Sequence, residues 1–420
     1  MSRPLVYRVL TGAATLLAGL ILGKVLSVAA DVILARGLGP DGYGSYGTAI
    51  ALLAIGLVLC SAGVDALAIR EVVRTAELTR VIRHQIRYMR LKLGAIVAAP
   101  IAVMTWLGWI PAGIGVPLCI VPIAFAFRED WLLMAMRREG AVSSAGVVRD
   151  SSFLGCVLLL LAMTPTAAAA AVAFLLAEAV WSAYTVVLVS RTIRSDLKST
   201  GESSIRMVNG LPLLTSNLLT LATGRLGTPL VTALSGVTAG GLYFACYRVI
   251  SALGTLVQPL GRATLPALAA GRPEDLRAGE ATARSLVALA AALGAGIGVA
   301  LYFSAESVVL LLFGTAYSAA VPVLRILSVG LVFAIPSSIV LQTLIAVNRQ
   351  GLVLRVTGVG AITSLVLAIA LIPSMGAGGA AVGAASAEVV ILAYGVWLWR
   401  RASRRSSSAA LTRDNAMIAP

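Results

Sequence analysis

The residues able to do chemistry in this 420-residue chain are few, and most lie inside apolar runs. Lys24, Arg225 and Arg248 are the cations so placed, and Asp31, Glu178 and Glu388 the carboxylates. A charge near the centre of a membrane-spanning helix costs roughly 2.5–3.5 kcal/mol on insertion scales, so it faces protein, water or a ligand rather than lipid. Arg offers a bidentate fork and Lys a point charge, chemistry that holds a phosphate or diphosphate. Asp31 follows Lys24 by seven residues, which on a helix is nearly the same azimuth and about 10 Å further along. An internal ion pair of Lys24 or Arg225 with Asp31 is therefore a second reading of the same residues. Glu178 and Glu388 read either as proton or cation sites or as bonds to a neighbouring helix.

Other chemistry is excluded by what is missing. His84 is the only histidine, so a Ser-His-Asp triad or a histidine-ligated metal site is not expected. Cys60, Cys119, Cys156 and Cys246 sit in apolar runs without a CxxC pair and read as small buried hydrophobes. No glycine-rich loop follows a strand and no ATPase signature is present. No cofactor is expected, and any driving energy comes from an ion gradient, the membrane potential or the substrate gradient.

The elements that carry these residues are membrane helices. Hydrophobic residues make up 59% of the chain and charged residues 12%, and apolar runs of helix-spanning length recur from end to end. Soluble enzymes, disordered scaffolds and disulfide-rich secreted domains are excluded. The reading is an all-α polytopic membrane protein with about twelve spans. They fall near 9–35, 44–66, 91–110, 113–135, 144–163, 167–190, 208–234, 240–266, 285–303, 321–346, 351–373 and 376–399. The seventh is unusually polar, and on a continuous helix Asn217, Gly224, Arg225 and Thr228 fall within an arc of about 100°.

Connections alternate between short uncharged ones and basic ones, and the basic set holds 28 of the 33 Lys and Arg residues. The positive-inside rule makes that side, and both termini, cytoplasmic. The +15 formal charge is thus largely accounted for by topology, and nucleic acid is not implied. Arg36 and Arg325 lie near outer ends, where snorkelling explains them. The Arg70–Lys92 stretch also reads as an amphipathic segment on the inner leaflet, with Val73, Val81, Ile82, Ile86 and Met89 as its apolar side. Met1–Ala30 has some features of a signal peptide, but its removal would delete one member of an internal repeat.

That repeat is the most informative pattern. Ala171–Arg191 aligns with Ala381–Arg401 at an offset of 210, with ten identities in 21 positions that include Glu178/Glu388 and Tyr184/Tyr394. A weaker echo at an offset of 197 joins Gly39, Gly44 and Tyr46 to Gly236, Gly241 and Tyr243. Two parallel copies of six spans follow: residues 1–206, then 207–400, with 401–420 as an irregular cytoplasmic tail. Parallel repeats of this kind suit alternating-access transport, with the substrate path expected between the halves. At the 197 offset Arg225 falls on Val28, one turn from Lys24. Lys24, Arg225, Arg248 and Asn217 are the substrate-binding candidates, and Asp31, Glu178 and Glu388 the ion-coupling candidates. Gly19xxxGly23, Gly294xxxGly298 and Gly379xxxGly383 predict close helix packing.

The motif Ala35-Arg36-Gly37-Leu38-Gly39-Pro40-Asp41-Gly42-Tyr43-Gly44 follows the first span. Gly241-Leu242-Tyr243-Phe244-Ala245-Cys246-Tyr247-Arg248 opens the eighth, and Pro266 closes it. With Val323-Leu324-Arg325-Ile326-Leu327 and the Gly376–Glu388 run, the chain resembles the polysaccharide transporter family. These are the O-antigen and exopolysaccharide flippases of the multidrug/oligosaccharidyl-lipid/polysaccharide flippase superfamily. The resemblance implies a MATE-like pair of six-helix bundles in a bacterial plasma membrane. It implies translocation of a polyprenyl-diphosphate-linked oligosaccharide to the outer leaflet, with the headgroup in a cationic cavity. Membrane lipids and a polysaccharide polymerase or glycosyltransferases are the partners it implies. Lys24 and Arg225 occupy positions where this family tends to place cavity cations. A MATE-like drug/cation antiporter, which would want an acidic cavity, and a non-transporting scaffold of a glycan-assembly complex are the alternatives.

Overall fold

The computed structural model describes residues 3–192, 207–269, 276–346 and 350–418, and these are helical throughout apart from short turns. The first helix, α1 (Arg3–Ser61), covers the first two predicted spans and is broken at Gly39, which adopts φ 65° and ψ 177° ahead of Pro40. Only glycine takes that backbone at no steric cost, and proline cannot donate back into the preceding turn. After it come α2 (Asp65–Arg74), α3 (Thr79–Trp106), α4 (Ala112–Ala126), α5 (Asp130–Ala135), α6 (Glu139–Met163) and α7 (Ala167–Thr192). The second half holds α8 (Met207–Gly224), α9 (Gly227–Ser235), α10 (Val237–Ala269), α11 (Leu276–Phe313), α12 (Val321–Ala346), α13 (Gln350–Met375) and α14 (Ala377–Ile418). Nine segments among the described residues are long and apolar enough to cross a membrane.

The helices group into two units. One comprises Met1–Leu221 with Gly236–Phe244, the other Ala222–Ser235 with Ala245–Pro420. Within the first, α1 packs on α6 and α7, α3 on α4, α4 on α7, and α6 on α7. Within the second, α9 packs on α13 and α14, α11 on α12, α12 on α14, and α13 on α14. Counted as spans, four pairings recur in both halves, first with fifth, third with fourth, fourth with sixth and fifth with sixth. The duplication read from the Glu178/Glu388 alignment thus recurs in the packing itself.

Small residues set the closest approaches. A side chain at Gly19 would run into Ser143 of α6, and a Cβ at Gly23 would lie 2.7 Å from the Asp150 Oδ2 on the same helix. Gly294 and Gly298 press on α12 backbone, 2.9 Å from the Val332 oxygen and 2.8 Å from the Ser328 oxygen for an added Cβ. Gly383 does the same on α13, 2.7 Å from the Ser364 oxygen. Where association cannot draw on hydrophobic transfer, such backbone approach is the source of packing energy. Inside the first unit Gly44 and Gly241, matched at the 197 offset, meet each other. A Cβ on Gly44 would strike the Val237 carbonyl, and one on Gly241 the Pro40 carbonyl. Asp41 and Thr238, the next matched pair, are hydrogen-bonded.

Three expectations change. Ile82 and Ile86 are buried with Trp131, Leu132, Leu133 and Val189, and α3 runs unbroken from Thr79 into its span. The Arg70–Lys92 stretch therefore packs on protein instead of lying as a separate amphipathic helix on lipid, though Val73 stays exposed. The seventh span is two helices, α8 and α9, because the chain turns at Arg225 and Leu226 between Gly224 and Gly227. The tail past Arg401 continues α14 as helix, since no Gly or Pro interrupts it before Ile418.

Candidate functional site

The break in the seventh span places Arg225 in the turn between two short helices, where the backbone gives up part of its own hydrogen bonding. Discontinuous helices at membrane depth are tolerated where protein or a watered cavity satisfies the freed groups. Arg225 is half-buried and hydrogen-bonds the Tyr247 hydroxyl of α10, with the Arg248 charge alongside. Glycine at the position before it lets Tyr247 approach closely, since a Cβ at Gly224 would press on that hydroxyl. Three residues on, Thr228 is 1% exposed and its Oγ1 has no hydrogen-bond partner among the described residues. Glu388 of α14 lies within electrostatic reach of Tyr247. The second unit thus gathers Arg225, Tyr247, Arg248, Thr228 and Glu388 around one helix break, a set that can hold an anion and exchange a proton.

Asn217 does not share a helical face with this group, because α8 ends at Gly224; it is exposed on α8. Tyr247 was missed by sequence reasoning. Its signal was the Tyr247-Arg248 pair one helical turn after the glycine-aromatic opening of the eighth span.

In the first unit Lys24 is half-buried on α1 and Asp31 is buried at 4% exposure. Helix α6 brings a carboxylate to the same region, since Asp150 faces Gly23, the neighbour of Lys24. Arg149 binds Asp150 at 2.6 Å, and both its Nε and Nη2 reach Glu178 Oε1 at 3.1 Å. Arg149 also stacks toward Phe174 and Trp181, with its guanidinium 5.6 Å from each ring centre. Glu178 is 3% exposed and held by this one cation. Its role in the structure is the bond between α6 and α7. Arg149 and Asp150 escaped the sequence reading because Arg149 counts naturally with the basic connection before the fifth span. The structure places it three turns inside α6.

A third network, at the start of α3, was also missed. Arg83, Arg87 and Arg90 share a helix face by their spacing. Arg83 and Arg87 converge on Glu129, and Arg83 makes contacts of 2.6 and 2.8 Å. Arg90, only 1% exposed, binds Asp65 at 2.6 Å and the Arg128 carbonyl at 2.7 Å. Arg128 pairs with Asp130 at 2.9 Å and lies over Trp181. Four cations and three carboxylates are thereby tied into the packing of α2, α3, α5 and α7, so these basic residues do more than set topology. Arg325, at the outer end of α12, is 4.0 Å from Glu306 and lies near the Tyr302 ring. Among the described residues no group of His, Cys, Asp and Glu is arranged to hold a metal ion.

With this geometry in hand the comparisons are specific. The sequence profile of the family described as "Polysaccharide biosynthesis protein" matches residues 9–271, and the chain belongs to that family. No curated protein matches it. Solved structures of the MOP superfamily share its fold over nearly their whole length. A multidrug-resistance MATE transporter in its inward-facing conformation aligns with a TM-score of 0.70 at 15% identity, covering 92% of this chain and 96% of the other. A MATE protein in complex with MaL6 gives 0.67 at 17%, covering 94% and 97%. A MOP transporter from Pyrococcus furiosus, described by the reverse polarity of its binding pocket and a different function, gives 0.65 at 16%, covering 94% and 96%. The chain is a multi-pass, all-α membrane protein with the MATE/MOP transporter fold, in keeping with movement of a substrate across the membrane.

Proposed function

We propose that the protein is a flippase that carries a polyprenyl-diphosphate-linked oligosaccharide across a bacterial inner membrane for cell-surface polysaccharide assembly. The observation that carries this reading is the basic group at the helix break, Arg225 with Arg248 and the hydroxyl of Tyr247. Two guanidinium groups and a phenol suit a diphosphate, since charge-assisted bonds to phosphate oxygens are the strong ones. Lys24, on a spanning helix of the first unit, is a separate cation suited to an anionic substrate. Membership of a polysaccharide-biosynthesis family supports the same substrate class.

Drug or cation antiport is the second reading. The inward-facing and outward-facing MATE structures are described as multidrug resistance transporters, so the fold neighbours weigh on that side. Against it stands the sign of the charge at Arg225, which repels a cationic drug. The Pyrococcus furiosus relative, with its reversed pocket polarity, is a MOP transporter for which a different function was likewise inferred.

The deciding experiment is transfer of a fluorescent polyprenyl-diphosphate saccharide in proteoliposomes. Wild type should translocate it, Arg225→Ala and Lys24→Ala should not, and both variants should remain folded in the membrane. Tyr247→Phe should retain partial activity, because a hydrogen bond to a charged group is worth about 1.5–3 kcal/mol and Arg225 itself remains. Uptake of cationic drugs with no transfer of the lipid would replace this reading with the second.

A further inference from the structure

The two glutamates matched by the repeat have different surroundings. Glu178 has Arg149 at 3.1 Å, whereas the ion pairs among the described residues include none to Glu388. The reason is visible in the register of the fifth and eleventh spans. Ala145, Phe153 and Val157 of α6 are buried, as are Val356, Ser364 and Ala368 of α13, which agrees with an offset of 211 here. At that offset Arg149 falls on Gly360. The contact confirms it. Arg149 leans on Trp181, and a side chain at Gly360 would run into Ile391, which matches Trp181 at the 210 offset. The second unit has glycine where the first has this cation, and Ile391 fills the space.

What Glu388 has instead is a hydroxyl. Ser337 Oγ of α12 stands 3.0 Å from Glu388 Oε2 and 2.9 Å from the Ala334 carbonyl oxygen. A hydroxyl has one hydrogen, and a carbonyl can only accept. If Ser337 donates to Ala334, the contact to Glu388 needs its hydrogen from the carboxyl group. The protonated acid thus satisfies both contacts in one chain, Glu388 to Ser337 to Ala334. The carboxylate satisfies one at most and carries an uncompensated charge in mid-span.

The other charged or titratable groups facing this position do not supply a counter-ion contact. Tyr247 and Arg248 come from α10, and Arg225 from the turn before α9, with Arg225 already engaged by Tyr247. Helix α9 itself has no titratable residue. Arg325 is twelve residues from Ser337 along α12, and Arg355 of α13 is exposed.

We infer that Glu388 is the proton-carrying residue of the transport cycle, held as the neutral acid by Ser337, and that its partner in the repeat, Glu178, is a fixed structural ion. Proton release from Glu388 places a negative charge within electrostatic reach of Tyr247, whose hydroxyl Arg225 binds, and that charge repels an anion held there. Anion binding and protonation of Glu388 therefore favour each other. This rests on the transport reading but is indifferent to which anion is carried.

The test uses the purified full-length protein and needs no substrate. In pH-difference infrared spectroscopy, wild type should show a titrating protonated-carboxyl band that Glu388→Gln removes and Glu178→Gln leaves in place. Ser337→Ala should shift the midpoint of that band, and Glu388→Asp should retain a band in a folded protein. A band unchanged in Glu388→Gln, or one displaced by sodium at constant pH, overturns the proposal. Inorganic diphosphate added to wild type should raise the midpoint, and no movement would overturn the coupling to the anion group. Failure of lipid-linked saccharide transfer with the band intact would count against the flippase reading alone. In proteoliposomes, Glu388→Gln should lose the response of transport to an imposed pH gradient.

Discussion

Arg149 is a residue whose loss should be felt as stability before it is felt as transport. It closes Glu178 and Asp150 into one network inside α6 and α7, and Glu178 Oε2 has no hydrogen-bond partner even with Arg149 present. Removing the cation leaves the buried Glu178 carboxylate without its ion pair, a change that typically costs about 3–5 kcal/mol. Arg149→Ala should therefore lower the thermal unfolding midpoint of the detergent-solubilised protein sharply. Joint replacement with Arg149→Met and Glu178→Leu should recover much of that loss, because an apolar pair of similar volume avoids the unpaired charge. Glu388→Gln should leave the midpoint nearly unchanged by comparison. At this scale the sequence marked Glu178 and Glu388 as a matched pair. It could not separate their roles, because the discriminating residues, Arg149 and Gly360, are recognisable only once helix register is known. Asn217 illustrates the opposite error, since its membership of a polar stripe assumed a continuous helix that ends at Gly224.

Helices in this protein are positioned by glycines as much as by apolar side chains. Gly241 and Gly44 approach each other's backbone so closely that neither position has room for a methyl group. Overpacking a tight contact typically costs about 1–3 kcal/mol, and here the obstacle is backbone, which cannot rotate away. Gly241→Ala should accordingly reduce the yield of monodisperse protein on size-exclusion chromatography, while Gly254→Ala, with open space around it, should not. Span order and the small-residue packing motifs were readable because hydropathy and spacing act locally. The broken seventh span was not, since its polar residues read equally well as a stripe along one continuous helix. Nor was the basic cluster at the start of α3. Its arginines are folded into the protein by Glu129 and Asp65, whose distance along the chain hides the pairing.

For the molecule as a whole, the alternation of basic and uncharged connections predicts both termini on the cytoplasmic side. Single cysteines at Asp41 and Ser235 in a cysteine-free background should react with an impermeant maleimide from outside intact cells. Cysteines at Glu77 and Glu139 should react only after permeabilisation. The reverse pattern would invert the topology and with it the direction assigned to transport. The duplication also has a consequence for how the sequence can change. Where Gly44 meets Gly241, a residue touches its own counterpart, the geometry of an isologous interface folded into one polypeptide. Such a contact can be complementary only to itself, so enlarging one side cannot be offset by trimming the other, which is already glycine. Drift at this point is blocked in both copies at once, whereas the matched positions Arg149 and Gly360 carry different residues.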